Sequence, residues 1–567
     1  MSKLPLETIE EILSYIDEDD ITTFHSLSFI NRTWCNLCIP HLWKKPFNIK
    51  NNNNNSKNLY KIITIILSFL DEEQKSVLKL NEKKTGIFST KKLLYNYPSY
   101  IRQLDFNKLF LLITEWIIKN KKYRTKFKEN YFIKNSDKFT FDFSIFKEDE
   151  EDYELNFSYN RIIERCCLKD QEKLAFFEYI FKIIIARSKG IRKLFVDIYH
   201  ENEEIAYTIP KDYFKYIFEL KDFGKCFSGL NEFSCKGNFH KTWLINGIKK
   251  YSHDIRKLTI YPWNRNYIND LRVKDLKGLL KAQKNLKSLS FSVDSEVEKK
   301  VIECMQGNIS KTLESFNMKY GDLTDNELKY LSKCKKLKKL YFDTVYFDES
   351  INILGKIIYP DLDELIFFNC NFSNSFIDLL KEFIKNNGHN LKNFQLSQNI
   401  IDINNINNNN LDINDILSTL LVSCSNLSNF YVNIDNQSDI ILFFKILRQF
   451  KHSLKSINVG NYNNGIPKFN FNYDFMLEFI EIFMSMSNII NLDLSNWEIS
   501  FNSFKIFIEN CCHSKILLKV FKVSCVGGSK EDLESLIESN AKLNSRSLDN
   551  ILIIENDEIK NITIVWH

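Results

Sequence analysis

Apolar residues recur along most of this chain in one short pattern, in which the first, fourth and sixth residues are apolar. The most evenly spaced copies are Leu286/Leu289/Phe291, Leu313/Phe316/Met318, Leu337/Leu340/Phe342, Leu362/Leu365/Phe367 and Leu391/Phe394/Leu396. They begin 27, 24, 25 and 29 residues apart. Because the fourth and sixth residues flank a residue that faces the other way, each copy predicts a short strand with one buried face.

Weaker copies extend the pattern in both directions. They are Ile191/Leu194/Val196, Leu230/Phe233/Cys235, Ile255/Leu258/Ile260, Leu427/Phe430/Val432, Leu454/Ile457/Val459, Ile489/Leu492/Leu494 and Leu518/Phe521/Val523, with a faint first copy at Ile101/Leu104/Phe106. Some intervals are longer, such as the 36 residues from Leu391 to Leu427, and require insertions. The Asn-rich stretch Asn404–Asn410 lies in that interval and predicts a disordered surface insertion.

Segments with helical patterns lie between the predicted strands. Asp325–Cys334 and Asn374–Asn386 carry Asp or Ser near the start, apolar residues every three or four positions and Lys-rich ends. Strand and helix in alternation favour parallel strands covered by helices, and stacking forms the core because no unit buries its own apolar side. The predicted fold class is α/β, an irregular solenoid of parallel strands plus helices. The alternative is an α/β domain of another topology with coincidental spacing.

The first 43 residues have a different pattern. An apolar stripe recurs at helical spacing, at Ile9, Ile12, Leu13 and Ile16. Pro5 suits a first helical turn, and Asp20, at the end of the acidic run Asp17–Asp20, is a candidate cap for a second helix. A third segment, Trp34–Trp43, carries two indoles. Three short helices cannot bury all of this apolar surface alone, so the segment predicts a partner site.

The ordered motifs of this segment resemble an F-box. They are a leading Leu4-Pro5, an apolar helix, an acidic linker, Arg32-x-Trp34 and a closing Leu42-Trp43. The later copies resemble the leucine-rich repeats found behind an F-box. The Asn or Cys expected after each strand is present at Cys370 and Asn399 and absent in most other copies. The other interpretation of the first segment is an ordinary N-terminal helical cap on a larger domain.

The resemblance implies a docking module without chemistry of its own. An F-box would dock on a Skp-type adaptor within a cullin–RING ubiquitin ligase, and the repeats would hold a protein substrate. The residues expected to form the module's core and its adaptor-binding surface are Leu4, Pro5, Ile9, Ile12, Leu13, Ile16, Leu27, Trp34, Leu42 and Trp43.

The expected organisation has three parts. Residues 1–47 form the F-box domain, and residues 191–567 form the leucine-rich-repeat domain. Residues 48–190 form a linker and a helical or capping region, with the faint first repeat near residue 101. The low-complexity stretch Asn51–Asn55 and the acidic run Glu148–Glu154 fall in this middle part.

Alternation along each predicted strand suggests where a substrate would bind. If Leu340 and Phe342 point inward, their neighbours point to the concave surface of the solenoid. The substrate-binding candidates are Tyr341, Asp343, Phe368, Gln395, Tyr431, Asn433 and Asp493; Ile366, Ser397, Asn458 and Ser495 are expected on the same surface. Exposed aromatic residues are common binding anchors. The alternatives are that helices or the Asn-rich insertion cover them, or that recognition lies on the helical outer face or in residues 51–190.

Composition and charge exclude several function classes. The net charge of +5 is small for 567 residues, and the Lys residues are scattered, which argues against nucleic-acid binding. Thirteen cysteines indicate a reducing compartment, so the cytoplasm or nucleus is expected. Ile62–Leu70 is about half a membrane span and predicts a buried helix, and no signal peptide is visible.

No catalytic or cofactor motif stands out. Phosphate-loop, dinucleotide, zinc-protease and nucleophile-elbow patterns are absent from the sequence. Cys35-x-x-Cys38 with His41 has metal-like spacing but no second ligand pair, so neither a metal nor a cofactor is expected. The functional hypothesis is a non-catalytic substrate-recognition subunit of an SCF-type ubiquitin ligase, without membrane or nucleic-acid partners. The alternatives are a repeat scaffold or sensor that binds a protein without ubiquitination, and an enzyme on an α/β fold.

Overall fold

The structure is a computed structural model that forms two compact units, Met1–Asn264 (unit 1) and Arg265–His567 (unit 2). It describes residues 4–47, 59–78, 80, 93–120, 175–198, 222–237, 242–261, 270–292, 295–348, 350–370, 372, 374–397, 413–433, 437–460, 473–486, 488–513, 519–526, 529–543, 548–556 and 559–566. The stretches Asn51–Asn55, Glu148–Glu154 and Asn404–Asn410, together with Asn399, lie outside the described residues.

Unit 1 begins with three helices and continues into four strands. Its helices are α1 Leu6–Ser14, α2 Ile21–Leu27, α3 Arg32–Leu42, α4 Lys61–Leu67, α5 Glu72–Val77, α6 Phe106–Asn120, α7 over residues 175–187, α8 Phe223–Phe227 and α9 Thr242–Tyr251. Its strands are β1 Gln103–Asp105, β2 Lys193–Ile198, β3 Glu232–Gly237 and β4 Lys257–Tyr261. The strands pair in this order and all are parallel.

Unit 2 continues the alternation of helix and strand. Its helices are α10 Asp270–Ala282, α11 Ser295–Ile302, α12 Asn308–Thr312, α13 Asp325–Leu331, α14 Asn374–Asn387, α15 Ile413–Ser423, α16 Gln437–Phe450, α17 Tyr473–Met484, α18 Phe501–His513 and α19 Lys530–Leu543. Its strands are β5 Ser288–Phe291, β6 Ser315–Leu323, β7 Lys339–Phe347, β8 Glu364–Phe368, β9 Asn393–Ser397, β10 Asn429–Asn433, β11 Ser456–Gly460, β12 Asn491–Ser500, β13 Val520–Val526, β14 Leu548–Asn556 and β15 Ile559–Trp566.

The sheet of unit 2 is parallel over most of its width. Strands β5 to β13 pair in sequence order and in parallel. Only the last two strands depart from this arrangement, because β15 pairs antiparallel to β13 and β14 pairs antiparallel to β15. The predicted α/β repeat fold, with parallel strands and helices between them, is therefore confirmed.

One backbone contact recurs from repeat to repeat and sets the register. The carbonyl just before a strand accepts two N–H groups from the start of the next strand. For example, the Lys287 carbonyl accepts from Glu314 N at 2.8 Å and Ser315 N at 2.9 Å, and the Glu314 carbonyl accepts from Lys338 N at 2.8 Å and Lys339 N at 3.1 Å. Because each carbonyl satisfies two donors, neighbouring repeats cannot slip by one residue without losing both bonds.

For β1, the short segment that follows α3 supplies the accepting carbonyl. The Lys44 carbonyl accepts from Arg102 N at 3.0 Å and Gln103 N at 3.1 Å, at the start of β1. The Trp43 ring also packs on the Tyr97 ring, with a centroid distance of 4.6 Å. The three N-terminal helices are therefore joined directly to the first strand of unit 1.

The core contains the apolar positions that the repeat pattern marks. In β7 and β8 the residues Leu340, Phe342, Leu365 and Phe367 are all buried. Five phenylalanines form a continuous cluster beneath these strands, at Phe342, Phe347, Phe367, Phe372 and Phe376.

The predicted helix near Ile62–Leu70 is the shorter α4, with Ile63, Ile66 and Leu67 buried. No helix in the described ranges is long and apolar enough to cross a membrane.

The connection from β7 to β8 departs from the repeat. Its described residues form a 3-10 turn, Leu354–Lys356, where other repeats carry an α-helix. Asn387, at the end of α14, is buried and holds this connection in place. Its side-chain oxygen accepts from Tyr359 N at 2.6 Å, and its side-chain nitrogen donates to the carbonyls of Ile357 at 2.9 Å and Phe383 at 2.8 Å.

Asn387→Ala is expected to lower the free energy of unfolding by about 1–3 kcal/mol, because it leaves buried backbone donors and acceptors without partners. Denaturant unfolding followed by circular dichroism measures the change. Asn386→Ala is the matched control, since Asn386 is exposed and its side chain donates to the Gly355 carbonyl at 2.7 Å. Equal destabilisation by the two substitutions would contradict the expectation.

Candidate functional site

The three N-terminal helices form a small module, defined here as residues 4–47. Pro5 stands at the N-cap of α1. The Asp20 side chain caps α2 by accepting from Thr23 N at 3.0 Å, which confirms the predicted cap. Asn31 caps α3 in the same way, accepting from Thr33 N at 2.8 Å and Trp34 N at 3.1 Å. These caps fix where each helix begins and hence which side chains face inward.

The module has a compact apolar core. Its fully buried members are Ile9, Leu13, Phe24, Trp34 and Cys38, and Ile16, Leu27, Leu37 and Leu42 pack partly buried against them. Trp43 is buried as well, beside Tyr97. Seven of the ten residues predicted for the module's core and adaptor-binding surface are therefore buried or partly buried.

A second group of apolar side chains in the module faces solvent. Three of the predicted residues, Leu4, Pro5 and Ile12, are exposed. The other exposed large apolar residues of the module are Leu6, Tyr15, Ile21, Phe29 and Ile30. Within the described part of the chain, seven of sixteen exposed large apolar side chains fall between residues 4 and 30. Such a concentration of exposed apolar surface marks a protein interaction site.

Sequence reasoning missed five of these exposed residues. Tyr15 directly follows α1, which ends at Ser14, and is exposed. Helical spacing places Ile12 on the same stripe as Ile9 and Leu13, so periodicity alone does not predict that Ile12 is exposed. Phe29 and Ile30 follow the end of α2, where helical periodicity no longer tells which side chains face inward.

Ion pairs tie the acidic turn to the end of α3. Lys45 lies 3.0 Å from Asp19 and 3.5 Å from Glu18, and Lys44 donates a hydrogen bond to Glu18. The hydrogen bond from Lys44 lowers the pKa of the Glu18 carboxyl. These pairs are partly exposed, so each contributes little stability, but together they orient the turn against the last residues of the module.

The residues with metal-like spacing have structural partners. Cys38 lies in the module's core, where burial raises the pKa of its thiol. Cys35 accepts a hydrogen bond from the Tyr95 hydroxyl at 3.4 Å, and His41 stacks on Phe24 with a centroid distance of 4.6 Å. Among the side chains that the structure describes, no cluster of three or more His, Cys, Asp or Glu could hold a metal ion.

The predicted substrate residues share one face of the unit 2 sheet. Strand register places Tyr341 opposite Ile366, then Gln395, Tyr431, Asn458 and Asp493 across successive strands. We call these six residues the sheet-face row. All six are half-buried, and burial raises the pKa of both Tyr341 and Tyr431. The side chain of Asn433 lies outside the described residues, although its backbone pairs with Gly460.

Asp343 differs from expectation. It was predicted to be exposed, but its residue is only 8% exposed and its carboxylate lies 2.7 Å from the Lys319 ammonium. The long Lys319 side chain on the neighbouring strand covers it, which alternation along one strand could not reveal. Phe368 lies opposite Asp343 in the next strand and is half-buried, whereas Ser397 beyond it is buried.

The chain matches no protein-family model and no curated protein. Among solved structures it is similar to a chain of the Rad7 and Elc1 complex in yeast, with 14% sequence identity and a TM-score of 0.30. That match covers 50% of this chain and 66% of the other, just under two thirds of its length.

Proposed function

We propose that this protein is a substrate-recognition subunit of an SCF-type, cullin–RING ubiquitin ligase. The observation that carries the proposal is the N-terminal module, in which F-box-like motifs coincide with a self-contained core and an unusual density of exposed apolar side chains. A module of this kind gains by burying Leu4, Ile12 and Phe29 against a partner. The expected partner is a Skp-type adaptor, which links the chain to the cullin and the RING protein.

The contribution to catalysis would be proximity. A substrate held by the repeats would remain near the ubiquitin-loaded conjugating enzyme, which raises the effective concentration of its lysines. This role requires no catalytic residue in the chain, so the protein acts as a non-enzymatic adaptor. The hydrogen bonds from the start of β1 to the Lys44 carbonyl support this role, because they hold the docking module in a fixed position against the first strand.

Co-purification with a Skp-type adaptor tests the proposal. The full chain is co-expressed with the adaptor, a cullin and a RING protein, and the complex is isolated through a tag on the chain. A stable complex that ubiquitinates proteins captured by the chain is the expected result. Capture of a protein partner without adaptor binding would instead support the alternative, a non-catalytic repeat scaffold or sensor.

The sheet-face row and the adjacent Phe368 form the proposed substrate surface. Replacing Tyr341, Phe368 and Tyr431 together with Ala is expected to abolish capture of the substrate, because these half-buried residues are the aromatic candidates on this face and aromatic side chains are common binding anchors. Adaptor binding should be unchanged, since the module lies in unit 1. The measurement is quantitative mass spectrometry of proteins retained by each variant.

The matched control for the triple variant is Val422→Ala with Ile441→Ala, two exposed apolar residues on helices α15 and α16. These changes remove exposed apolar side chains from the helical side of the repeats. Retention of the same partners by the triple variant, or equal loss in the control, would place recognition elsewhere in the chain.

A further inference from the structure

Three consecutive strands of unit 2 carry a left-handed backbone residue at the same position. Tyr320, Thr344 and Asn369 have φ of 55°, 57° and 52°. Each stands five residues after the first residue of its strand, β6, β7 or β8. Residues other than glycine rarely adopt this conformation, least of all a β-branched residue such as Thr344, and backbone strain of this kind concentrates at functional sites.

The left-handed residues change which way the strand ends face. Pairing between β6 and β7 omits Tyr320 and Thr344 and resumes beyond them, where Asp322 lies opposite Tyr346. Val345 is buried next to Tyr346, so alternation turns Tyr346 and Asp322 away from the core. If Thr344 continued the regular alternation of β7, Tyr346 would point inward.

The result is a pair of exposed tyrosines on neighbouring strands. Tyr320 and Tyr346 are each 44% exposed, and they are the only exposed aromatic residues among the described side chains of unit 2. Asp322 is exposed as well, two residues after Tyr320 and opposite Tyr346 in the strand pairing. Two aromatic faces beside a carboxylate match the chemistry of a basic side chain, which gains from cation–π contact and a charge-assisted hydrogen bond.

The charges around the strand ends are mainly negative. Asp348 follows β7 and accepts hydrogen bonds from the Ser350 hydroxyl and from Ser350 N, the latter at 2.8 Å; both lower the pKa of its carboxyl, and Lys299 lies near enough to lower it further. The Lys319 ammonium, on the same strand as Asp322, is already paired with Asp343 at 2.7 Å. The carboxylate of Asp322, which belongs to the same strand as Tyr320 and lies opposite Tyr346, is therefore the exposed charge that a bound cation would meet there.

We propose that the ends of β6 and β7 bind an arginine side chain presented by a partner polypeptide. Tyr320 and Tyr346 contact the face of the guanidinium, and Asp322 accepts its N–H groups. Arginine fits better than lysine because its planar guanidinium stacks on an aromatic ring while it donates two parallel hydrogen bonds. This surface is distinct from the sheet-face row, and its binding does not depend on adaptor docking.

The test uses the purified full chain and a short Gly/Ser peptide that contains one arginine, titrated by ligand-observed NMR. Matched peptides carry lysine or citrulline in its place. Binding of the arginine peptide, tighter than the lysine peptide and absent for citrulline, is expected. Tyr320→Ala and Tyr346→Ala should each weaken it by about 2- to 30-fold, the range of cation–π contacts. Tyr→Phe changes at these positions should retain binding.

Control variants separate this site from general charge and fold effects. Tyr330→Ala and Asp361→Asn alter a half-exposed tyrosine and an exposed carboxylate elsewhere in the same repeats, and binding should not change. Asp322→Asn should weaken binding and reduce its salt dependence. The proposal is overturned if citrulline binds equally, if the control variants weaken binding as much, or if the arginine peptide does not bind. Self-association of the chain that Tyr346→Ala abolishes would assign the surface to a second copy and also overturn it.

Discussion

A chain that carries Leu4→Ala and Phe29→Ala is expected to bind a Skp-type adaptor at least about 100-fold more weakly than the unchanged chain. Exposed apolar anchors at the centre of an interface each cost about 2 kcal/mol or more when truncated, and two such losses correspond to roughly 1000-fold if they add. Leu4 is 53% exposed and Phe29 is 75% exposed, so neither truncation opens a cavity in the module. Isothermal titration with the purified adaptor measures the affinity.

Two controls make this experiment decisive. Ile441→Ala removes an apolar side chain of similar exposure from unit 2 and should leave the affinity unchanged. Leu13→Ala removes a buried side chain of the module, so it should weaken binding together with a loss of helical signal. An unaltered affinity in the Leu4/Phe29 variant, with its helices intact, would remove the adaptor proposal.

Phe367→Ala is expected to lower the free energy of unfolding by about 3–5 kcal/mol, the usual cost of emptying a large buried site. The Phe367 ring lies 5.5 Å from the Phe342 ring and 5.5 Å from the Phe372 ring, measured between centroids. The Phe347 ring lies 5.7 Å from the Phe367 ring. Because the ring joins two neighbouring repeats, hydrogen exchange should show faster opening in β7 and β8 before the rest of the sheet.

Ile366→Ala is the matched control for this change. Ile366 is the sequence neighbour of Phe367 but lies on the opposite face of β8 and is only half-buried. Its truncation should cost much less than the loss of the buried ring. Equal destabilisation by the two substitutions would mean that the cluster beneath β8 is not the main source of stability there.

The repeat fold could be predicted because its signal is strictly local. Leu340 and Phe342, or Leu365 and Phe367, follow a two-residue period. Since the described copies bury the same positions, many weak copies support one interpretation. Both pairs are buried in the structure.

The remaining features depend on contacts between neighbouring repeats. Asp343 is buried because Lys319 reaches it from the adjacent strand, and nothing in the sequence around Asp343 signals that pairing. Threonine rarely adopts a left-handed conformation, so neither the conformation of Thr344 nor the outward direction of Tyr346 could be predicted from the sequence. The side chain of Asn387 likewise accepts a hydrogen bond from Tyr359 N, which lies 28 residues earlier in the chain.

The N-terminal module shows the same limit within a short segment. Its motifs identify a set of apolar residues but do not divide them between packing and binding. The structure buries Ile9 and Leu13 and exposes Ile12, although all three belong to one stripe at helical spacing. Phe29 and Ile30 lie beyond the last turn of α2, where only the arrangement of the three helices determines exposure.

The bond between the Lys44 carbonyl and the start of β1 sets a rule for chimeric proteins. A graft that replaces the module only through Leu42 keeps this acceptor and its bonds to the start of β1. A graft that replaces the module through Phe47 deletes Lys44, and leaves the N–H groups of Arg102 and Gln103 without their partner. The boundary for exchanging modules therefore lies after Leu42, since the last residues of the helical segment belong structurally to the repeats.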